Sequence, residues 1–546
     1  MERDSAAARK ARGAFFTPPS LSQFMAKWCL RDAEERVFEP SCGEAAFLTA
    51  AVDQLRAMGV QGRLKNQLTG VEIHGDSAVA ANERLAEHGA DAAIRVGNFF
   101  DIPANPEYDA VIGNPPYIRY QALSGSERSK ANQAALAQGV RFDGLTNSWA
   151  PFLVHAAGFL RPGGRLALVL PAELLSVNYA APARQFLMNR FSKVALVVFH
   201  ERVFPGVLEE VVIVLAEGEG PTDHCELYQA KDASDLDDLQ PGRWTPTSNR
   251  GKWMAALLPS KTAKLYRQLV SNDRFGTLND WGETDLGMVT GNNRYFTMSI
   301  ESARKWNVPE RELMRISPPS SRHLRGLMFG ERSWDQMRRD RAAVYLFRPT
   351  EDPLSNGASR YIEYGESLGV QEAYKCRVRT PWWRVPLVRI PDLFLTYMNH
   401  AAPRLISNRA HLGHLNSIHG VTLSVGLKRL GTDLLPMAAL NSLTLLGAEL
   451  VGRSYGGGVL KLEPREADCL PIPTDVCIQS CAAQLRALRP QLARALRHND
   501  LDEVVKHVDR IILRQGLRLR QTQIETLRQG RRIMFQRRLA RSGKER

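Results

Sequence analysis

Short apolar runs recur through residues 1–220 at intervals that leave room for a helix between them. The runs at 37–39, 68–73, 94–101, 108–113, 165–171 and 194–199 have strand length, and most are rich in Val, Ile and Leu. Between them, a stretch running to Met58 and those at 77–87, 148–160 and 180–191 read as helices. Alternation of this kind predicts a doubly wound, mostly parallel sheet covered on both faces. Ahead of it, Leu21, Phe24, Met25 and Trp28 share one face of a predicted helix. Thr17 is placed to cap that helix, with proline in its first turn. After it, the run at 211–215 follows a turn at 201–206 and predicts an antiparallel strand pair with 194–199. One stretch, 119–147, breaks the rhythm. It is polar, rich in small residues and weakly periodic, which predicts a mobile segment ordered by substrate.

The pattern changes at about residue 220. Residues 221–249 turn polar, with Asp232, Asp235, Asp237 and Asp238 and the breaker Pro241-Gly242, and are expected to be a linker. Over 250–474 short strands and turns replace the strand–helix alternation, which predicts a mixed α+β domain. From Asp475 to residue 546 the reading is helical. Leu485, Leu488, Leu492 and Leu496 share a face that Val504, Val508, Ile511 and Ile512 continue.

At 546 residues the chain has room for about two or three domains. Its net charge of +14 favours a polyanionic partner. The seven cysteines are scattered, and only Cys477 and Cys481 are close in sequence. Neither a disulfide framework nor a metal site is suggested, which fits a cytoplasmic protein. Residues 1–10 lack the apolar core of a signal peptide, and no apolar run is long enough to span a bilayer, so no membrane partner is expected.

The strand at 108–113 ends in Gly113-Asn114-Pro115-Pro116-Tyr117. Both prolines lock φ and lack an N–H, so the loop is stiff and cannot rejoin the sheet. Asn114 offers an amide oxygen and Pro115 a carbonyl, two acceptors suited to a primary amine on a flat ring. Such an amine is a poor nucleophile because its lone pair is conjugated with the ring. Holding both N–H groups out of plane localises that pair. Tyr117 adds an aromatic face, and stacking of a base on one is worth about 1–3 kcal/mol.

Asn-Pro-Pro-Tyr after an apolar strand resembles motif IV of amino-methyltransferases that use S-adenosylmethionine (SAM). Phe15-Phe16-Thr17-Pro18-Pro19 resembles their motif X, which implies that Thr17 lies near SAM. Glu39-Pro40-Ser41-Cys42-Gly43 opens the first strand–turn–helix unit, where a cofactor sits in doubly wound sheets. It resembles motif I of DNA adenine methyltransferases. Ala45 stands where a glycine is usual, and its methyl is expected to crowd the bound cofactor. Glu72 ends the second strand as acidic residues that accept ribose hydroxyls do. Asn98 and Phe99 stand at motif III, which implies that they meet the cofactor's adenine; ordinary strand-end packing is the other reading. Phe204 matches the aromatic residue of motif VIII, the second wall around a flipped adenine; its other reading is a hairpin-tip ring on the core.

The order of these motifs resembles the gamma class of adenine-N6 DNA methyltransferases, the Taq type. That resemblance implies a seven-stranded methyltransferase sheet over 1–220, SAM as co-substrate, no metal, double-stranded DNA as substrate and a base flipped out of the stack. It implies catalysis by Asn114, Pro115, Pro116, Tyr117 and Phe204. Cofactor contacts fall to Thr17, Glu39, Pro40, Ser41, Cys42, Gly43, Glu72, Asn98, Phe99 and Asn114. The biological setting it implies is restriction–modification or another phage defence, any cognate restriction endonuclease being a separate protein. Release-factor glutamine methyltransferases and some RNA methyltransferases share Asn-Pro-Pro-Tyr, so a protein or RNA substrate stays open, as does a DNA-binding homologue without activity.

Basic and aromatic residues interleave at 286–296, 376–384, 416–419 and 454–462. As a set they resemble a DNA target-recognition region, with Trp382 and Trp383 in the core as the alternative. Arg528, Arg531, Arg532, Arg537, Arg538, Arg541 and Lys544 predict either a grip on phosphates or a frayed, solvated end.

Overall fold

The apolar runs of the first half assemble side by side. Strands β1 (Val37–Glu39), β2 (Leu68–Glu72), β3 (Ala93–Val96), β4 (Tyr108–Gly113) and β5 (Leu160–Pro171) pair in parallel in the order β3-β2-β1-β4-β5. Strand β6 (Lys193–Phe199) joins through β7 (Val211–Glu217), which lies antiparallel between β5 and β6. The buried runs in β4 to β7 explain why these stretches read as continuous rather than alternating. The sheet continues past the seven expected strands to nine. Strands β8 (Cys225–Ala230) and β9 (Gly242–Trp244) extend it from β6. The stretch expected as a linker therefore carries two strands. Cys225, Leu227, Ala230 and Trp244 are buried there, so a few apolar residues among many polar ones were enough.

The computed structural model describes residues 17–199, 203, 210–236, 239–246, 251–349, 353–455 and 457–540. The chain divides into two compact units, Met1–Ser260 and Lys261–Arg546.

In the first unit, helix α1 (Pro19–Cys29) buries Leu21 and Met25 in the core, and Phe24 and Trp28 pack half-buried against it. Its cap is Pro18, not Thr17, and no side chain caps it. Pro18 is extended at the N-cap and Pro19 occupies the first turn, which shifts the start one residue past the threonine. Helices α2 (Ala46–Ala57) and α3 (Gly75–Glu87) follow β1 and β2. The segment expected to be mobile contains a helix, α4 (Gly125–Ala137). A reciprocal Ser124–Glu127 capping box starts it, and it buries only Ala131, Ala134 and Ala135. Alanine gives a weak apolar stripe, so periodicity alone did not reveal it. Helices α5 (Trp149–Ala157) and α6 (Ala181–Arg190) follow β4 and β5, α5 with all nine residues buried.

The second unit is built differently. Strands β10 (Gly282–Leu286), β11 (Met328–Phe329), β12 (Leu393–Thr396), β13 (Leu405–Asn408) and β14 (Ile418–Leu423) form a mixed sheet in the order β10-β14-β12-β13-β11. Tyr295, Phe296, Trp334, Phe347, Tyr361 and Phe394 lie in its aromatic core. Among its helices are α7 (Lys428–Ala438), α8 (Ser442–Val451), α9 (Ala482–Arg497), α10 (Leu501–Asp509) and α11 (Gln521–Ala540). Among the described residues no single helix is long and apolar enough to cross a membrane.

Candidate active site

Strand β1 has β2 on one side and β4 on the other, so the connections leave it in opposite directions. The carboxyl ends of β1 and β4 therefore flank the point where strand order reverses, the place where open α/β sheets leave a crevice. The turn after β1 and the loop after β4 meet there. Ser41 Oγ donates to the backbone carbonyl of Asn114 at 3.3 Å. Residues 73 positions apart in sequence thus share one rim.

The β1 turn is organised by two carboxylates. Glu39 is buried and accepts the Leu48 N–H of α2 at 3.0 Å. Burial pushes its carboxyl well above the ordinary range, and the neighbouring Glu72 adds to the rise. Glu72 accepts the Gly43 N–H at 2.9 Å with one oxygen and the His74 N–H at 2.9 Å with the other. It ties the two strand ends together, and each oxygen keeps a further lone pair. Gly43 has φ +50°, and a Cβ built there meets nothing within 4 Å, so the turn faces open space. The crevice thus offers acceptors at Glu72 and close backbone approach at Gly43, a set that fits the ribose and adenine end of SAM. Cys42 is buried, and burial raises its thiol strongly, so it is no nucleophile. Ala45 adopts φ +63°. It is fully buried in the core cluster, so its methyl sits among core side chains and the expected crowding of the crevice does not arise.

On the facing loop Pro115 is buried, and Asn114, Pro116 and Tyr117 are half-buried. The Tyr117 hydroxyl lies 2.7 Å from the Asn114 side-chain amide and 3.0 Å from the Val169 carbonyl of β5. It has one proton for two acceptors. When the proton goes to Val169, the hydroxyl accepts from the Asn114 amide nitrogen, and the amide oxygen turns the other way.

The remaining predicted residues divide. Asn98 follows β3, and its amide oxygen accepts the Phe100 N–H at 2.9 Å, capping a short turn. Its amide nitrogen and the second lone pair of its oxygen are left for other partners. Phe99 belongs to the core. Its ring lies 4.5 Å from Phe152 and 4.6 Å from His155. Thr17 is buried just before α1. Phe204 lies outside the described residues.

In the second unit most aromatic residues of the predicted reading loops pack inward, and Tyr455 stays exposed. Tyr295 and Phe296 are buried, and Trp382 packs on both while donating to Glu366 at 3.1 Å. Arg379 braces the carbonyls of Val289 and Thr290. His419 is fully buried with a nitrogen 2.7 Å from the Leu462 carbonyl. Arg294 and Arg384 stay exposed. In the tail, Arg538 is buried on Glu449 at 2.8 Å, and Arg528 pairs with Asp509 at 2.9 Å. These two arginines act inside the fold rather than as a solvated end.

Sequence reasoning passed over Asn147, Ser148 and Glu173, which surround the loop after β4. The available signal was an Asn-Ser pair directly before an apolar helix.

Residues 1–243 match the family model of the N-6 DNA Methylase, and residues 250–513 match that of the C-terminal domain of Type II methyltransferase M.Eco57I. The chain is 24% identical over 471 residues to Type II methyltransferase M.AccI of Acinetobacter calcoaceticus, which covers 84% of each chain. It is 23% identical over 482 residues to Type II methyltransferase M.XamI of Xanthomonas campestris pv. amaranthicola, 85% of each. Among solved structures, the Type IIL restriction-modification enzyme MmeI in complex with DNA shares the fold, with a TM-score of 0.54 and 12% identity over 92% of this chain and 73% of that one. The first part of the chain thus matches the N-6 DNA Methylase family model, and the chain is similar over most of its length to Type II methyltransferases.

Proposed function

We propose that this chain is a gamma-class, site-specific DNA methyltransferase that flips an adenine out of the duplex and methylates its N6 amine, protecting DNA as the modification part of a restriction or other phage-defence system. The observation that carries the reading is the bond from Ser41 to Asn114, which brings the cofactor-type turn and the amine-orienting loop to one rim.

SAM would supply an electrophilic methyl group. Glu72, the Gly43 turn, Asn98 through its amide nitrogen and the buried Glu39 beneath are the residues to hold it. Asn114 and the Pro115 carbonyl accept the two N6–H bonds, draw the lone pair out of conjugation and keep the proton to be released hydrogen-bonded. Tyr117 supplies the aromatic wall, with Phe204 as its expected counterpart. Catalysis is assigned to residues 1–220 with the sheet extension to 244. Duplex DNA recognition is assigned to 250–474 and 475–546; residues 250–513 of this stretch match the M.Eco57I C-terminal domain. A cognate endonuclease, where present, is a separate chain.

The test is methyl transfer from labelled SAM to duplex DNA, with RNA and release factor as competing substrates and digestion to nucleosides to identify 6-methyladenine. Asn114→Ala is expected to lower turnover by about 100-fold or more while calorimetry still finds SAM binding. Unchanged turnover in that variant, or label in protein rather than DNA, overturns the reading.

A further inference from the structure

The loop after β4 is held from behind by two side chains that precede α5. Ser148 is 2% exposed and Asn147 9%. Ser148 Oγ accepts the Ile118 N–H at 2.9 Å and gives its own proton to the Pro116 carbonyl. The Ser148 N–H donates to the Ile118 carbonyl at 3.0 Å. Asn147 Oδ1 accepts the Tyr120 N–H at 3.0 Å, and its amide nitrogen donates to Glu173 at 2.9 Å. Glu173 also receives the Trp149 indole N–H at 3.3 Å and the Tyr179 hydroxyl. Alternate residues of the loop, Pro116, Ile118 and Tyr120, are thus each pinned through the backbone.

We propose that Ser148 and Asn147 are positioning residues that set the direction of the Pro115 carbonyl and the Asn114 amide for the incoming amine. The proposal rests on the methyltransferase reading above. Both prolines have a locked φ, so the loop's remaining freedom is largely in ψ. Capturing the Pro116 carbonyl removes the ψ freedom of Pro116. That orients the peptide carrying Tyr117, whose hydroxyl is already fastened to β5 at Val169. The Asn114–Tyr117 segment is then held on the β5 side by Tyr117 and on the α5 side by Ser148. Asn147 anchors the far end to Glu173, which stands two residues past the end of β5. Such a frame has its effect on how well two acceptors are aimed. Neither side chain belongs to β1 and its turn, to β2 or to the turn after β3, where the cofactor set lies.

Ser148→Ala and Asn147→Ala test this in the full-length protein with duplex DNA. Each is expected to lower the single-turnover methylation rate about 10- to 100-fold, the scale of a misplacement near 1 Å. The KM for DNA and the dissociation constant for SAM are expected to stay within about twofold of the parent. The double variant is expected to lose little more than the worse single one, because the two side chains act on one loop. The proposal is overturned if either rate stays within about twofold of the parent, or if the loss is matched by an equal fall in SAM affinity or by a lowered melting temperature. A parent protein that transfers no methyl group to DNA would instead sink the methyltransferase reading.

Discussion

Ala45 holds a left-handed backbone that glycine adopts at less cost. Its departure from glycine is visible in the chain, and a methyl in a cofactor turn suggests crowding. In the fold the left-handed backbone at φ +63° points that methyl into the core. Left-handed alanine costs about 1–2 kcal/mol, and the buried methyl returns somewhat under about 1 kcal/mol. Ala45→Gly is therefore expected to change unfolding free energy by less than about 1 kcal/mol, although the site is fully buried. Ala51, equally buried but inside α2, is expected to lose about 1–2 kcal/mol on the same change, from helix propensity and the lost methyl. Denaturant unfolding of both variants checks this, and a larger loss at Ala45 would count against it. Glu39, Glu72 and Asn114 were all legible as residues of interest from their strings. Their partners were not, because Leu48, Gly43, His74 and Ser41 enter through backbone groups or a single hydroxyl that no composition marks.

At the scale of elements, the fully buried strands were clearer than β8, β9 or α4. Buried strands announce themselves as unbroken Val–Ile–Leu runs, whereas α4 hides because alanines line its buried side. The C-terminal basic stretch was ambiguous for a related reason. Arginines look alike whether they meet solvent, phosphate or a buried carboxylate. Arg538 meets the buried carboxylate. Its guanidinium bridges Glu449 of α8 and also donates to the carbonyls of Gly458 and His400. Removing one member of a buried pair strands the other, at about 3–5 kcal/mol. Arg538→Ala is expected to destabilise by that amount, whereas Arg532→Ala, at an exposed position of the same helix, should stay within about 0.5 kcal/mol. Thermal melts of the two variants separate the cases. Equal melting temperatures would refute an internal role for Arg538.

For the molecule as a whole, the second unit carries a pH signature. His414 is buried and His323 half-buried, and burial depresses both imidazoles to about 4. A histidine with a folded value below its unfolded one of about 6.5 binds protons more readily when unfolded. Its stabilising contribution is full above about pH 6.5 and is lost as pH falls through 4. Amide exchange in β12 and β14 of the intact protein is expected to accelerate between pH 6.5 and 4.5 beyond its intrinsic pH trend. His414→Leu should flatten that dependence, and a variant with the parent's slope would show that other groups set it.

What the chain's order of residues determined by itself was local and periodic. It carried the strand–helix alternation, the stiffness of Asn114–Tyr117, the acidic ends of β1 and β2, and the net positive charge. Those properties follow from neighbours within a few positions, where backbone geometry and side-chain period act. What only the tertiary structure decided was long-range. It showed which strand ends meet, that Ser41 reaches Asn114, that Phe99 and Trp382 serve the core, and that Arg538 turns inward. Each of these depends on which surfaces remain after packing has buried the rest, and packing is a property of the whole chain.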